Sequence, residues 1–168
     1  ELVRDLYVFC CFTGLSFTDM KNLTKDNVQT SFDGKLWIMT KRQKTGVESN
    51  IMLMDIPLRI IEKYDGMAKE DYLLPVPQYI TACKNLKTII GLCGIEKNIT
   101  WHTSRHTMAT EICLTNGVPI ETLSKMLGHT NIRTTQIYAK ITHEKESRDM
   151  NSLSDKLSRI EQFSGITI

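Results

Sequence analysis

Apolar residues recur at intervals of three and four positions along most of the chain, which predicts a mainly helical protein. Glycine, proline and short polar side chains interrupt this pattern and indicate where the helices end. The predicted helices cover residues 2–12, 16–23, 58–64, 78–93, 102–117, 120–127, a segment after residue 131 and a polar tail over 143–163.

Individual residues mark several helix starts. Ser16 and Asp19 have the spacing of an N-terminal capping pair. Pro57 is predicted at the first helical position, where its missing N–H costs nothing. Asn131 is predicted to cap a helix that carries Tyr138 about two turns along its length.

The pattern changes between residues 28 and 57, where runs rich in Val, Ile, Trp and Met are separated by two turn signals. These signals are Asp33-Gly34 and Thr45-Gly46, which are typical of hairpin connections. We therefore expect a mainly α domain with a small antiparallel three-stranded β-sheet in its N-terminal third.

Composition narrows the class of protein. A chain of 168 residues with 41% hydrophobic and 24% charged residues is typical of one globular domain. Its longest apolar runs fall far short of the ~18 residues of a membrane helix. The five cysteines are odd in number and form no C-x-x-C pair, which argues against a disulfide framework or zinc ribbon and favours a reducing, cytoplasmic compartment. Because the chain opens "ELVRDLYVFC" without an initiator methionine or signal peptide, we expect a fragment of a longer protein.

Charge is distributed unevenly although the net charge is only +2. Lys35, Lys41, Arg42 and Lys44 fall within ten residues, so a local basic surface is expected on a nearly neutral chain. Arg42 and Lys44 are two apart on the predicted second strand, which would direct both side chains to the same face.

A second group of polar residues lies in the C-terminal half. His102 and Arg105 are three apart and share a helical face, whereas His106 is rotated about 100° and is expected to be structural or partly exposed. His129 follows a predicted helix end at Gly128. Each residue taken singly has an ordinary packing or surface explanation.

Taken together, these residue types suit attack of a side chain on a phosphodiester. Negative charge develops on the phosphoryl oxygens, and the planar fork of arginine stabilises it well. A tyrosine hydroxyl that loses its proton is a possible nucleophile, and a lysine on a hairpin can protonate the leaving oxygen. No cofactor or metal is expected, because the cationic side chains supply the charge.

Four segments in order, "TGLSFTDMKNL", "KRQKT", "HTSRHTMAT" and "LGHTNIRTTQIYAKI", resemble the catalytic domain of the tyrosine recombinases. This phage and conjugative-transposon integrase family breaks and rejoins DNA, and the resemblance extends over about residues 2–141. It implies that Tyr138 forms a 3′-phosphotyrosyl link, that Lys44 is the general acid and that Arg105 is the second catalytic arginine. The same resemblance implies that His102 and His129 bind the phosphate and assist proton transfer.

One position departs from the family pattern. Ser16 occupies the place after "TGL" where the family usually carries its first catalytic arginine, as in segments resembling Bacteroides integrases. Either the chain is a catalytically impaired DNA-binding paralogue, acting as a regulator or excision factor, or Arg42 replaces the missing cation. We favour replacement by Arg42.

The resemblance also implies partners. Double-stranded DNA is expected to bind through Lys41, Arg42 and Arg133, and the protein is expected at the bacterial nucleoid. The whole chain would be the catalytic domain, with 143–168 a C-terminal helical tail, and the N-terminal core-binding domain of the family would lie outside it. Leu153, Leu157, Ile160 and Phe163 are at helical spacing, and such a tail would link subunits of a homotetramer on synapsed DNA. Two other functions stay open. One is a metal-dependent nuclease, whose metal would be held by His102, His106, His129 and a carboxylate. The other is a helical signalling or scaffold protein.

Overall fold

The computed structural model describes residues 1–139 and 143–164, with the side chains of 143–145 and 160–164 outside the description. The chain forms two compact units, Glu1–Tyr138 and Ala139–Ile168. The described helices are α1 Leu2–Thr13, α2 Phe17–Lys21, α3 Asp55–Lys63, α4 Tyr79–Leu92, α5 Trp101–Thr107, α6 Ile120–Met126, α7 Arg133–Gln136 and α8 His143–Ser164. The strands are β1 Val28–Thr30, β2 Leu36–Lys41 and β3 Glu48–Met52.

The three strands form one antiparallel sheet in the order β1-β2-β3, which confirms the predicted sheet and the mainly helical class. Pairing of β2 with β3 ends where Lys41 faces Glu48. Beyond this pair the Arg42 N–H donates to the Val47 carbonyl at 2.9 Å, and the chain turns back. Arg42 and Lys44 therefore lie in the loop between the strands, so the prediction that both are strand residues was wrong.

The core of the first unit is built around α1. Leu6, Phe9 and Cys10 of this helix are fully buried. Trp101 packs edge-on against Phe17, with ring centroids 4.8 Å apart, and so ties α5 to α2. A second, smaller cluster holds the C-terminal part of the unit: Met108, Ala109, Cys113, Leu123, Leu127 and Tyr138.

Several helix boundaries differ from the predicted ones. Pro57 is the third residue of α3 and not the first, because the helix already begins at Asp55. The helix after Trp101 continues as a π-helical segment, Met108–Cys113, and a 3-10 turn, Leu114–Asn116, before Gly117 ends it at φ 83°.

The segment around Tyr138 differs most. The side chain of Asn131 accepts the main-chain N–H of Arg133, the first residue of α7, at 2.9 Å, but the N-cap position is Ile132 and not Asn131 as predicted. The helix α7 ends at Gln136, and Tyr138 lies in the turn that follows. The prediction that Tyr138 is about two turns along a helix was wrong, because α7 has only four residues.

The second unit contains the helix α8, which agrees with the predicted tail helix. Leu153 and Leu157 lie one turn apart and are exposed. The described residues do not include the side chains of Ile160 and Phe163, which were predicted to extend the apolar stripe of the tail. They also do not include residues 165–168. None of the helices in the described ranges combines the length and the apolar character that crossing a membrane requires.

Candidate active site

Arg105 is a buried cation held by main-chain oxygens. Its side chain on α5 is only 3% exposed. One terminal nitrogen donates to the Gly14 carbonyl at 2.6 Å, and the other donates to the Leu127 carbonyl and lies 3.0 Å from His129 Nε2. Burial of a guanidinium is costly unless acceptors surround it, and here the ends of α1 and α6 supply them.

Neighbouring charged groups and burial change the pKa of Arg105. Burial and the nearby charge of Arg42 lower the pKa of Arg105 to about 10, while Tyr138 and Asp19 act in the opposite direction. The guanidinium is therefore still charged at neutral pH.

Arg42 reaches the same place from the β2–β3 loop. Its Nε donates to Asp19 Oδ2 at 3.3 Å, and a terminal nitrogen donates to the Leu127 carbonyl, also at 3.3 Å. The Arg42 side chain is 12% exposed and that of Asp19 is 3% exposed, so this ion pair is largely screened from water. Asp19 Oδ1 also accepts the Gln43 N–H at 3.0 Å, which fixes the start of the loop.

Ser16 acts through Asp19. Its hydroxyl accepts the Asp19 N–H at 3.1 Å, as the capping pair predicted, and donates to Asp19 Oδ2 at 2.6 Å. The carboxylate that binds Arg42 is thus held in place from position 16. A cleft of about 400 Å³ opens beside this position. Its lining includes Ser16, Lys21, Trp101, His102 and Arg105.

Side chains of the β2–β3 hairpin cover the C-terminal end of α6, where helix carbonyls lack intrahelical donors. Three consecutive carbonyls each accept one hydrogen bond from this hairpin. The pairs are Ser49 with Met126, Arg42 with Leu127 and Thr45 with Gly128. The sheet is therefore joined to the helix end that precedes His129.

His129 lies between Arg105 and α7. Its Nδ1 is 2.8 Å from Thr135 Oγ1 on α7, and its Nε2 faces Arg105. Burial, followed by the charges of Arg105, Arg42 and His102, lowers the pKa of His129 to about 4. The imidazole is therefore neutral at pH 7.

A line of rings leads from His102 to Tyr138. The His102 and His106 centroids are 5.0 Å apart, and those of His106 and Tyr138 are 4.8 Å apart, both pairs edge-on. Burial and the neighbouring His106 and Arg105 lower the pKa of His102, and Lys44 contributes in the same direction. Tyr138 itself is only 6% exposed.

The other predicted residues lie at the margin of this cluster. Lys44, Lys41 and Arg133 are all exposed. Sequence reasoning missed Asp19 as the partner of Arg42, although its spacing from Ser16 was visible. It also set His106 aside as a structural or partly exposed residue, whereas the structure places this exposed ring between His102 and Tyr138. In the described ranges, no three His, Cys, Asp or Glu side chains converge as a metal site.

Comparisons with known proteins identify the family to which this chain is similar. The sequence pattern of the phage integrase family matches residues 4–145. A tyrosine recombinase of Pseudothermotoga lettingae is 29% identical over 163 residues, which are 90% of this chain and 53% of that protein. The chain spans about half or less of the length of the first curated relatives that it matches.

Two solved structures show the same fold. The XerA recombinase superposes with a TM-score of 0.68 at 21% identity, covering 90% of this chain and 62% of that one. The Tn1549 transposon integrase in complex with a circular intermediate DNA superposes with a TM-score of 0.67 at 17% identity, covering 88% and 57%. The chain therefore belongs to the phage integrase family, and its fold is that of a tyrosine recombinase catalytic domain.

Proposed function

We propose that this chain is the catalytic part of a site-specific DNA recombinase that cleaves and rejoins strands through a 3′-phosphotyrosyl intermediate. The observation that carries the proposal is the meeting of Arg105 and Arg42 at the Leu127 carbonyl, with the Tyr138 ring 4.8 Å from that of His106, one residue after Arg105. A phosphodiester transition state needs such fixed donors, and the phenol supplies the nucleophile.

The reaction balances with the side chains present. The Tyr138 oxygen attacks phosphorus and releases its proton, and the bond from phosphorus to the 5′ oxygen breaks. The 5′ oxygen leaves with a proton from Lys44, while His129 or His102 accepts the proton of Tyr138. Attack by a 5′ hydroxyl on the phosphotyrosyl bond reverses these steps, so the strands rejoin without ATP and without a metal.

Arg42 takes the role of the arginine that Ser16 replaces. A serine hydroxyl supplies no charge, but here it orients Asp19, and Asp19 orients the guanidinium of Arg42. This network supports an active enzyme over the alternative, a catalytically impaired paralogue that binds DNA as a regulator or excision factor. Such a paralogue would have no need of a buried and a largely buried arginine at one carbonyl.

Double-stranded DNA is the proposed partner, since the Tn1549 transposon integrase with the same fold was solved in complex with DNA. Exposed Lys41 and Arg133, with Arg42, are the proposed phosphate contacts. Because lysine and arginine contacts to phosphates release counterions, binding should weaken steeply as salt rises. Association with the bacterial nucleoid would follow from this binding.

A homotetramer on synapsed DNA is proposed to form through the tail. The exposed Leu153 and Leu157 of α8 give it an apolar stripe suited to docking on a neighbouring subunit. Crosslinking on DNA would test this: a protein shortened before α8 should fail to form the tetramer. Unchanged assembly of the shortened protein would refute the role of the tail.

Covalent capture of DNA tests the central proposal. The full-length protein, incubated with a suicide substrate containing its recombination site, should become linked to the DNA strand. Tyr138→Phe should abolish this adduct, whereas Tyr72→Phe, at an exposed tyrosine outside the cluster, should retain it. Binding without an adduct would favour the impaired paralogue, and an EDTA-sensitive cleavage without an adduct would favour a metal-dependent nuclease.

A further inference from the structure

Thr135 is a fully buried polar residue that contacts the site without facing the cleft. It lies on α7 with 0% exposure. Its hydroxyl oxygen is 2.8 Å from His129 Nδ1, within hydrogen-bond distance. A hydroxyl can donate or accept, so this contact alone leaves the position of the imidazole proton open.

The opposite side of the ring decides the proton position. The His129 Nε2 lies 3.0 Å from a terminal nitrogen of Arg105. A guanidinium has only donors, so the neutral imidazole must accept at Nε2. Its one proton is then on Nδ1, which donates to Thr135 Oγ1.

Thr135 is also hydrogen-bonded, through its main chain, to the turn that contains Tyr138. Its carbonyl accepts the main-chain N–H of Tyr138 at 3.0 Å, and its own N–H donates to the Ile132 carbonyl at 2.8 Å. One residue therefore bonds the imidazole of His129 through its side chain and the Tyr138 turn through its main chain. Burial leaves its hydroxyl little access to water.

We propose that Thr135 is a positioning residue: Arg105 selects the Nδ1-protonated tautomer of His129, and the Thr135 hydroxyl stabilises that tautomer by accepting the Nδ1 proton and holding the ring with Nε2 toward Arg105. In the reaction proposed above, this keeps the Arg105 guanidinium hydrogen-bonded to Nε2 and so held in the position where it would bind the phosphoryl oxygens. The catalytic consequence rests on the proposed strand cleavage, whereas the tautomer does not depend on it. The groups facing His129 are Arg105, Arg42 and His102, all of which oppose protonation of the ring.

Nitrogen NMR of the full-length protein labelled with ¹⁵N-histidine tests the tautomer directly. A His129→Asn spectrum identifies the His129 signals. At neutral pH the wild type should show a protonated Nδ1 and an unprotonated Nε2. A protonated Nε2 in the wild type would overturn the proposal without any variant at position 135.

Variants at position 135 test the role of the hydroxyl. Thr135→Val keeps the shape but removes the hydroxyl, so the two His129 signals should shift toward the average of the two tautomers. Thr135→Ser should restore the wild-type signals, and Thr134→Val, at the exposed neighbouring position, should leave them unchanged. His129 signals that are the same in Thr135→Val and the wild type would overturn the proposal.

Cleavage measured on the same variants separates the two proposals. Thr135→Val should slow formation of the covalent adduct by about tenfold, the scale of one hydrogen bond, and Thr135→Ser should recover most of it. A full rate in Thr135→Val would overturn the catalytic part of the inference. If the wild type forms no adduct, the proposed function fails, while the NMR result on Thr135 still stands.

Discussion

Arg42 and Arg105 donate hydrogen bonds to the same oxygen, the main-chain carbonyl of Leu127. Two guanidiniums held this close repel each other, and Arg42 is one reason why the pKa of Arg105 falls to about 10. Asp19 and the carbonyl offset only part of this repulsion. A phosphate oxygen bound between the two cations would relieve it further, so the pair is suited to an anion that carries more than one acceptor.

Removing either arginine should therefore cost a similar amount. Arg42→Ala should slow covalent adduct formation by about 10²–10³-fold, the scale of a lost oxyanion donor, and Arg105→Ala by a comparable factor. Lys41→Ala, one residue earlier and exposed, is the matched control and should affect DNA binding more than the cleavage rate. Single-turnover cleavage of a suicide substrate measures all three. Full-rate cleavage by Arg42→Ala would show that Arg42 does not replace the missing arginine.

A substitution at Gly128 tests whether the position of the Arg42 side chain matters for the reaction. Its φ is +59°, and a Cβ at this position would lie 2.7 Å from Cγ and 2.8 Å from Cδ of Arg42. Gly128→Ala should therefore displace the guanidinium as well as strain the backbone. Gly117→Ala is the matched control, since its φ is also positive, at +83°, and its Cβ would meet no atom within 4 Å.

Both alanine variants should lose about 1–2 kcal/mol of stability from the left-handed backbone, and Gly128→Ala should lose more. Urea denaturation measures this difference. Only Gly128→Ala should also slow cleavage, because only it disturbs Arg42. Equal cleavage rates in the two variants would mean that the position of Arg42 does not matter for the reaction.

Acid should destabilise the protein through His129. Its pKa is about 4 in the folded protein against an ordinary value of 6.5, so below pH 6.5 the unfolded chain binds a proton that the folded chain does not. The free energy of unfolding should thus be highest above pH 6.5 and fall as the pH drops toward 4. His102, whose pKa is also lowered, acts in the same direction.

Unfolding curves at a series of pH values measure this slope. His129→Asn should make the stability less dependent on pH between 6.5 and 4.5, whereas Lys41→Ala should keep the wild-type slope. A slope unchanged by His129→Asn would mean that this imidazole titrates normally in the folded protein.

Much of the fold follows from local pattern. The sheet was predicted from two turn signals, and the ends at Gly117 and Gly128 from the preference of glycine for left-handed backbone. The placement of Arg42 and Lys44 on a strand failed because strand pairing stops at Lys41, and ladder pairing is not visible in one sequence. Tyr138 was assigned to a helix for a related reason, since the capping signal at Asn131 gives a start but not a length.

The site was harder to predict where contacts join distant segments. Ser16 and Asp19 are three residues apart and their hydrogen bond was visible as a capping pattern. The pairing of Asp19 with Arg42 spans 23 residues and depends on how the loop folds over α2. His106 was set aside because it is rotated about 100° from Arg105, yet it is four residues from His102, and side chains at that spacing share a helical face, so the two rings meet edge-on. For Thr135 the sequence carried no signal, because its role depends on the ring of His129 six residues earlier.

The hydrogen bonds from Ser49, Arg42 and Thr45 to the last carbonyls of α6 have a mechanical consequence. Moving the β2–β3 hairpin away would remove one donor from each of these carbonyls, at a cost of about 0.5–1.5 kcal/mol each, and Leu127 would keep its bond from Arg105. The loop and the histidine that follows α6 should then travel as one rigid piece.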